Sequence, residues 1–212
     1  MNASAPIRPA WYPDWSGQVA VIVGAGASAT KESVGALRGR VRVMVVNTSY
    51  QLAPWADALY ACDRKWWDWH QGAAEFSGLK IAYEAAATEQ YGLHRVDLIE
   101  GTEAESKLSM TPGVLGRGGN SGYQAFNLAL QFGARRVGLL GLDFTGRRWH
   151  GPHPNGREQA EHTLEKWRAT FDAAAGQTRA IGADVVNLSP VSALDAYPKL
   201  TLGEAMKRWG LS

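Results

Sequence analysis

A single cysteine, Cys62, stands among 212 residues, which excludes a disulfide framework and a thiolate metal cluster and fits a reducing compartment. No apolar run approaches the roughly 18 residues of a membrane span, and no signal-peptide core opens the sequence. The expectation is a soluble, cytoplasmic protein with no membrane span. Neither sign of charge dominates: 22 Lys and Arg face 20 Asp and Glu, a formal net charge of +2. The basic residues are scattered rather than gathered into a block, so no nucleic-acid partner is expected. Repeats and low-complexity linkers are missing. So are a G-x-S-x-G nucleophile elbow, a P-loop lysine, and a carboxylate pair at the fixed spacing of a glycosidase.

What is present is globular. Hydrophobic residues make up 45% and charged residues 20%, a balance that sets disorder aside. The length suits one domain with a real core. Residues 1–17, with Pro6, Pro9 and Pro13 among Trp11, Tyr12 and Trp15, read as an extended lead-in whose aromatics pack onto a domain spanning 18–212. Short apolar, β-branched runs predict buried strands at Gln18–Val23, Arg42–Val46, Ala58–Ala61, Val137–Leu140 and Asp184–Leu188, with fainter ones at Lys80–Ala82 and Val96–Ile99. Helices are predicted from a Ser28 cap to about Leu37, and over Lys65–Gln71, Ser121–Phe132, about Gly156–Ala175, and Leu202–Trp209. Gly133 closes the Ser121–Phe132 helix. Strands alternating with helices imply parallel pairing through right-handed crossovers, hence a single Rossmann-like, three-layer α/β domain with a mainly parallel sheet.

Such a sheet binds ligands beyond the carboxyl ends of its strands. Three glycine-rich or polar segments fall there: Gly24–Ser28, Asn47–Tyr50 and Gly141–Gly146. The first, VGAGASA, satisfies a variant G-x-G-x-x-A fingerprint, with backbone amides expected near a positive helix end. A NAD site needs an acid after the second strand; Asn47 stands there, so a dinucleotide is not expected. A fourth segment, GRGGNSGYQAFNLA at 116–129, has two readings on local grounds. Asn120 or Ser121 caps a helix and nothing more, or the first amides of that helix also hold an anion.

The loop RRWHGPHPNGRE places His150 and His153 at H-x-x-H spacing, but proline and glycine keep it from being helical, and no third ligand is evident, so no metal is expected. A histidine near its ordinary pKa serves as a general base or is simply a surface residue; Arg147, Arg148 and Arg157 suit phosphate or carboxylate. KWWDWH, residues 65–70, holds three of the nine tryptophans. It reads as a stacking platform, a partner surface, or a helix with one face in the core.

Taken in order, GNSGYQAFNLALQFGARRVGLLGLDF, VIVGAGAS, VVNTSYQ, HGPHPNGREQAEHTLEKW and VVNLSPVSAL resemble the bacterial lipooligosaccharide sialyltransferases of glycosyltransferase family 42. They also resemble the related 6-hydroxymethylpterin pyrophosphokinase-like proteins and phage and prophage proteins. The resemblance implies a metal-independent site for a cytidine nucleotide or nucleotide sugar, with no separate cofactor. It implies that His153 is the general base, that Gly24, Gly26 and Ser28 lie against phosphate or sugar, and that Asn47 contacts the nucleotide. Asn120, Ser121 and Gly122 would hold the ligand's carboxylate or base, and Asp143 would position its loop. The chain departs from the pattern at Ala25 and Ala27, where the family has N-G-P-S, and at Thr145 and Gly146, where the family has tyrosines that assist the leaving phosphate. Two further functions accompany this resemblance: a non-catalytic phage protein retaining the fold, and a magnesium-dependent pyrophosphokinase of a pterin-like alcohol.

Overall fold

In the computed structural model, which describes residues 7–101, 107–151 and 159–211, the five strong apolar runs all become strands. β1 (Val19–Val23), β2 (Arg42–Val46), β3 (Ala58–Tyr60), β4 (Leu79–Ala82) and β5 (His94–Arg95) lie on one side of the chain's path. β8 (Arg136–Leu140) and β9 (Asp184–Asn187) lie on the other, giving a seven-stranded parallel sheet in the order β5-β4-β3-β2-β1-β8-β9. Val96–Ile99 does not extend this sheet. It contributes β6 (Asp97–Leu98), paired in parallel with β7 (Val114–Leu115) as a separate ribbon, and the edge strand of the main sheet is the polar pair His94–Arg95 just before it. A two-residue edge strand carries too little pattern to be read from sequence.

Helices cover both faces. On one, α4 (Ser121–Gln131) and α5 (Glu161–Ala180) bury Tyr123, Phe126 and Phe171 against Ile22, Met44 and Leu139. On the other, α1 (Lys31–Gly35), α2 (Arg64–Trp69), α3 (Ala85–Tyr91) and α6 (Leu202–Arg208) cover Val21, Val43, Leu59 and Val186. Alternate residues of one strand thus feed two cores, as a sheet covered on both faces requires. The lead-in joins the first core: Trp15 is buried and edge-on to Phe132, 4.9 Å between centroids, and Trp15 N–H donates to Phe132 O at 2.8 Å.

Helix boundaries differ most from expectation at α1 and α5. α1 starts at Lys31, not after Ser28, because Thr30 and Ser33 cap it reciprocally. α5 runs on through Gly176 to Ala180; an exposed glycine inside a long helix costs only about 1 kcal/mol, and the left-handed residue past its end is Gly182, φ 71°. Gly133, φ 104°, follows α4 as the sequence implies.

The chain steps outward from β1 to β5, then returns to place β8 on β1's other side. Strand order reverses between β1 and β8. Loops leaving these two strands must diverge, and the crevice between them is where a doubly wound sheet binds ligands.

Candidate functional site

A cavity of about 310 Å³ lies over the carboxyl ends of the central strands, at the lower end of the range that small-molecule sites span. It gathers Gly24 and Gly26 after β1, Asn47 after β2, Asn120, Ser121 and Gly122 at the start of α4, and Asp143 after β8. Six loop or helix-end segments contribute, so the fold, not local sequence, assembles it. Ser28 does not join them; it borders a second, more apolar cavity toward α6. His153 and Arg157 lie outside the described residues. His150, Arg147 and Arg148, from the same loop, do line the first cavity.

The β1 loop is built to touch the β8 loop. Gly24 N–H donates to Leu140 O at 2.8 Å and Gly26 N–H to Gly141 O at 2.7 Å, so strand pairing continues past both strand ends. A Cβ on Gly24 would stand 2.5 Å from Gly141 O, and one on Gly26 2.5 Å from Asp143 Cγ. Glycine is required here by chain-on-chain contact. The expected free amides at a helix end are therefore not found at Gly24 and Gly26: both are committed to β8.

Ser28 and Asp143 form the lock. Asp143, 1% exposed, accepts from Ser28 N–H at 2.8 Å and from Ser28 Oγ at 2.5 Å. Ser28 Oγ also lies 2.7 Å from Ser189 Oγ, and Gly141 N–H donates to Ser189 Oγ at 2.9 Å. A buried carboxylate without such donors would be strongly unfavourable. Ser28 is thus tied to Asp143 and neither caps α1 nor faces the first cavity. The rest of the β8 loop is pinned from outside: Ser192 Oγ donates to Leu142 O at 2.8 Å and Arg168 Nη1 to Phe144 O at 3.1 Å. These bonds hold Phe144 at φ 52°, a conformation rare for a bulky residue and kept only where surroundings over-determine it.

On the β2 side, Asn47 opens a 3₁₀ turn over Asn47–Gln51 at φ 51°, which asparagine tolerates better than most residues. Ser49 Oγ donates to Gly24 O at 2.8 Å and accepts from Trp149 Nε1 at 3.2 Å. Trp149 N–H donates to Ala25 O at 3.1 Å, and Arg148 pairs with Gly26 as an antiparallel bridge. The 147–150 segment is thereby strapped across the β1 loop, which delivers its arginines and His150 to the cavity.

At α4 the helix-cap reading is borne out. Asn120 is the cap: its Oδ1 accepts from Tyr123 N–H at 2.9 Å and its Nδ2 donates to Gly118 O at 3.1 Å. The helix ladder has no acceptor for N–H groups of its first turn, and Ser121 and Gly122 line the cavity. The preceding loop is held by α4 itself. Asn127 accepts from Ser109 and Gly116 N–H at 2.9 and 2.7 Å, and Gln124 Nε2 donates to Arg117 O at 2.7 Å. These two buried amides were not anticipated. Polar residues three apart inside an otherwise apolar helix are the signal that marks them.

KWWDWH is mostly core. Trp67 is fully buried, Trp66 keeps 4% exposure, and Trp69 alone is 46% exposed. Trp66 lines the cavity, with Nε1 donating to Thr48 Oγ1 at 3.3 Å and its ring stacked on His70 at 4.3 Å. A base- or sugar-stacking platform on Trp66 is therefore not what this helix offers. His70 Nδ1 lies 3.1 Å from Tyr50 Oη, and burial holds its pKa below the ordinary histidine value, the Glu75 charge opposing. Ser121 Oγ donates to Cys62 Sγ at 3.1 Å. Burial pushes the Cys62 thiol up to about 12, so it stays protonated and unreactive near neutrality. Thr48, inside the expected Asn47–Tyr50 segment, also lines the cavity, as do Asp63, Leu164 and Trp167, which the sequence does not single out as ligand-facing.

Among the described residues, Arg147, Arg148 and His150 line the cavity together with Asp63 and the Ser28-bound Asp143, and guanidinium groups suit an anionic ligand. Among the described residues, no group of three or more His, Cys, Asp or Glu side chains is placed to hold a metal ion, and no helix is long and apolar enough to cross a membrane.

No family model matches the chain, and no curated protein matches it. Among solved structures it is similar to the MAf glycosyltransferase from Magnetospirillum magneticum AMB-1, at 14% identity and a TM-score of 0.66. The similarity covers 97% of this chain but 38% of that one, so the chain spans well under half the length of the neighbour. At this identity, what is shared is the α/β fold.

Proposed function

We propose that the protein binds a nucleotide sugar in the switch-point cleft and acts as a metal-independent glycosyltransferase of sialyltransferase-like type. The observation that carries this reading is convergence. Gly24, Gly26, Asn47 and Asn120–Gly122, far apart in sequence, share one cavity with Arg147, Arg148 and His150, on a fold common to a glycosyltransferase.

In the proposed reaction the anomeric carbon–oxygen bond to the donor's phosphate breaks, and a bond forms between that carbon and an acceptor hydroxyl oxygen. The hydroxyl proton passes to a neutral histidine, His153 by the resemblance, and the nucleotide leaves with the bonding electron pair on its phosphate oxygen. Arg147 and Arg148, just past Thr145 and Gly146, offset the charge that develops there, a role tyrosines fill in the resembled family. Ser121 and Gly122 N–H at the α4 terminus and the Asn47 side chain orient the ligand. Ser28 and Asp143 act by holding the two loops in register.

Thermal melting with cytidine, uridine, adenosine and guanosine nucleotides, with and without EDTA, tests the binding. A cytidine nucleotide raises the melting temperature equally in EDTA; no shift with any nucleotide at millimolar concentration sinks the proposal. His153→Ala then abolishes transfer but keeps the shift, whereas retained activity reassigns the base. A second reading, binding without turnover, draws on the committed Gly24 and Gly26 amides, which leave fewer donors for a transferred group. It predicts the same shift and no transfer by the unaltered protein.

A further inference from the structure

We propose that Trp167 is the stacking face of a nucleobase subsite in this cleft, an inference that rests on the nucleotide reading above. Trp66 reaches the cavity with only 4% of its surface exposed. Trp167, on the cavity-facing side of α5, is only partly buried and lines the same cavity, so it has aromatic surface to offer.

The indole is also held in place. Gly119 sits at φ +70° beside it, and a Cβ there would come within 3.3 Å of Trp167 Nε1; the turn before α4 thus lies against the edge of the ring. Phe144 also packs against it, at 63° with centroids 6.5 Å apart, and Phe144 leans on Phe171 at 5.6 Å. The next residue along α5, Arg168, donates to Phe144 O, which couples the helix to the strained loop. An aromatic fixed in this way loses little conformational entropy when a ring stacks on it.

Chemistry matches the parts of the ligand to the walls of the cavity. Among the described residues, the guanidinium groups of the cavity, Arg147 and Arg148, come from the β8 loop, while Trp167 and its neighbour Leu164 bring no charge. A nucleotide with its phosphate toward the arginines leaves its planar, uncharged base to Trp167, next to the Asn120 and Ser121 polar groups that edge recognition uses. Stacking alone tolerates every base; discrimination falls to those polar groups.

The test pairs calorimetry with tryptophan fluorescence, using cytidine 5′-monophosphate as the probe. Trp167→Ala weakens binding roughly 5- to 150-fold, the range for loss of one base-stacking aromatic. Trp167→Phe keeps a ring and most of the affinity, but the ligand-induced quench seen in the unaltered protein disappears. Unchanged affinity in Trp167→Ala overturns the inference, and so does an undiminished quench in Trp167→Phe, as expected if the base lies elsewhere and the sugar meets α5. If Trp167→Ala fails to fold, the Trp167→Phe quench decides alone. Absence of nucleotide binding by the unaltered protein instead removes the parent reading, and this one with it.

Discussion

Replacing Gly26 by alanine puts a methyl carbon 2.5 Å from Asp143 Cγ, 2.6 Å from Asp143 Oδ2 and 2.8 Å from Gly141 O. None of these atoms belongs to a flexible chain end. The carboxylate is 1% exposed and receives two donors from Ser28; the carbonyl receives Gly26's own N–H. Overpacking of this kind costs about 1–3 kcal/mol, and loosening a hydrogen bond to a charged group about 1.5–3 kcal/mol. One displacement relieves the clash while breaking the bonds, so the two do not simply add, and about 3–5 kcal/mol is expected. In a chain of this size each kcal/mol moves the melting midpoint by about 2–4 °C, giving a fall of about 6–20 °C. Gly176→Ala is the control: an exposed position inside α5 with nothing within 4 Å of the new methyl, where alanine stabilises by about 0.5–1 kcal/mol. Calorimetric or circular-dichroism melting without ligand reads both. Coupling supplies the sharper check, since Asp143→Ala opens space at the contact; added to that background, Gly26→Ala costs at least about 2 kcal/mol less than on its own. A Gly26→Ala protein that melts within about 2 °C of the unaltered one, or costs that add without coupling, refutes the packing account of the first loop.

His70 and Asp184 give pH-dependent outcomes of different origin. Burial lowers the His70 pKa, so between its folded value and about 6.5 the unfolded chain binds the extra proton and stability rises with pH. The melting temperature therefore falls as pH drops through that window, and His70→Gln flattens the fall; an unchanged slope rejects the assignment. Loss of the stack on Trp66 in His70→Ala costs about 0.5–1.5 kcal/mol at pH 8. Asp184 is held below the usual carboxyl range by its hydrogen bonds to Arg208 and Trp209, burial opposing. Its contribution is present above about pH 3.9 and is lost as pH falls through the lowered folded value. Asp184→Asn costs about 1 kcal/mol at pH 7, after allowing for the exposure of the pair, and the difference from the unaltered protein shrinks in acid. A constant difference across that range counts against the ion pair tying β9 to α6.

The fold was legible where burial is two-sided. Val19–Val23 and Arg42–Val46 are continuous apolar runs because helices cover both faces of the sheet, and their order with the intervening helices implies the parallel topology. His94–Arg95 was not legible, because a short polar edge strand is set by its neighbour β4 rather than by its own side chains. Gly24, Gly26, Asn47, Asn120, Ser121, Gly122 and Asp143 share one cavity as the strand-end argument implies. Ser28 is not the cap of α1: the same chemistry fits Thr30, two residues on, and the partner that claims Ser28 lies 115 residues away. Trp167 escaped notice for a related reason, since a tryptophan in an amphipathic helix reads as core until the helix's rotation about the sheet is known.

The glycines of the two loops carry a different message once their neighbours are known. In a dinucleotide fold the first strand's glycines bring backbone close to pyrophosphate, and amide N–H groups do the binding. Here Gly24 and Gly26 bring backbone close to backbone, and their N–H groups are spent on Leu140 and Gly141. Gly122 likewise clears Leu142, whose Cδ2 would lie 2.7 Å from an added Cβ. With the Gly24 and Gly26 amides committed, a ligand in this cleft meets the first amides of α4 and a wall of side chains that includes Arg147, Arg148, His150, Asn47, Asn120 and Trp167. Such groups distinguish ligands by charge, hydrogen-bond pattern and ring face, whereas amides at a helix end accept almost any phosphate. On the proposed nucleotide reading, selectivity among nucleotides rests on Asn47, Asn120 and Trp167, and affinity for the phosphate on Arg147 and Arg148. Arg148→Ala should weaken every nucleotide to a similar degree, while Asn47→Ala should alter the order of preference among bases. A uniform loss from Asn47→Ala would show that Asn47 does not read the base.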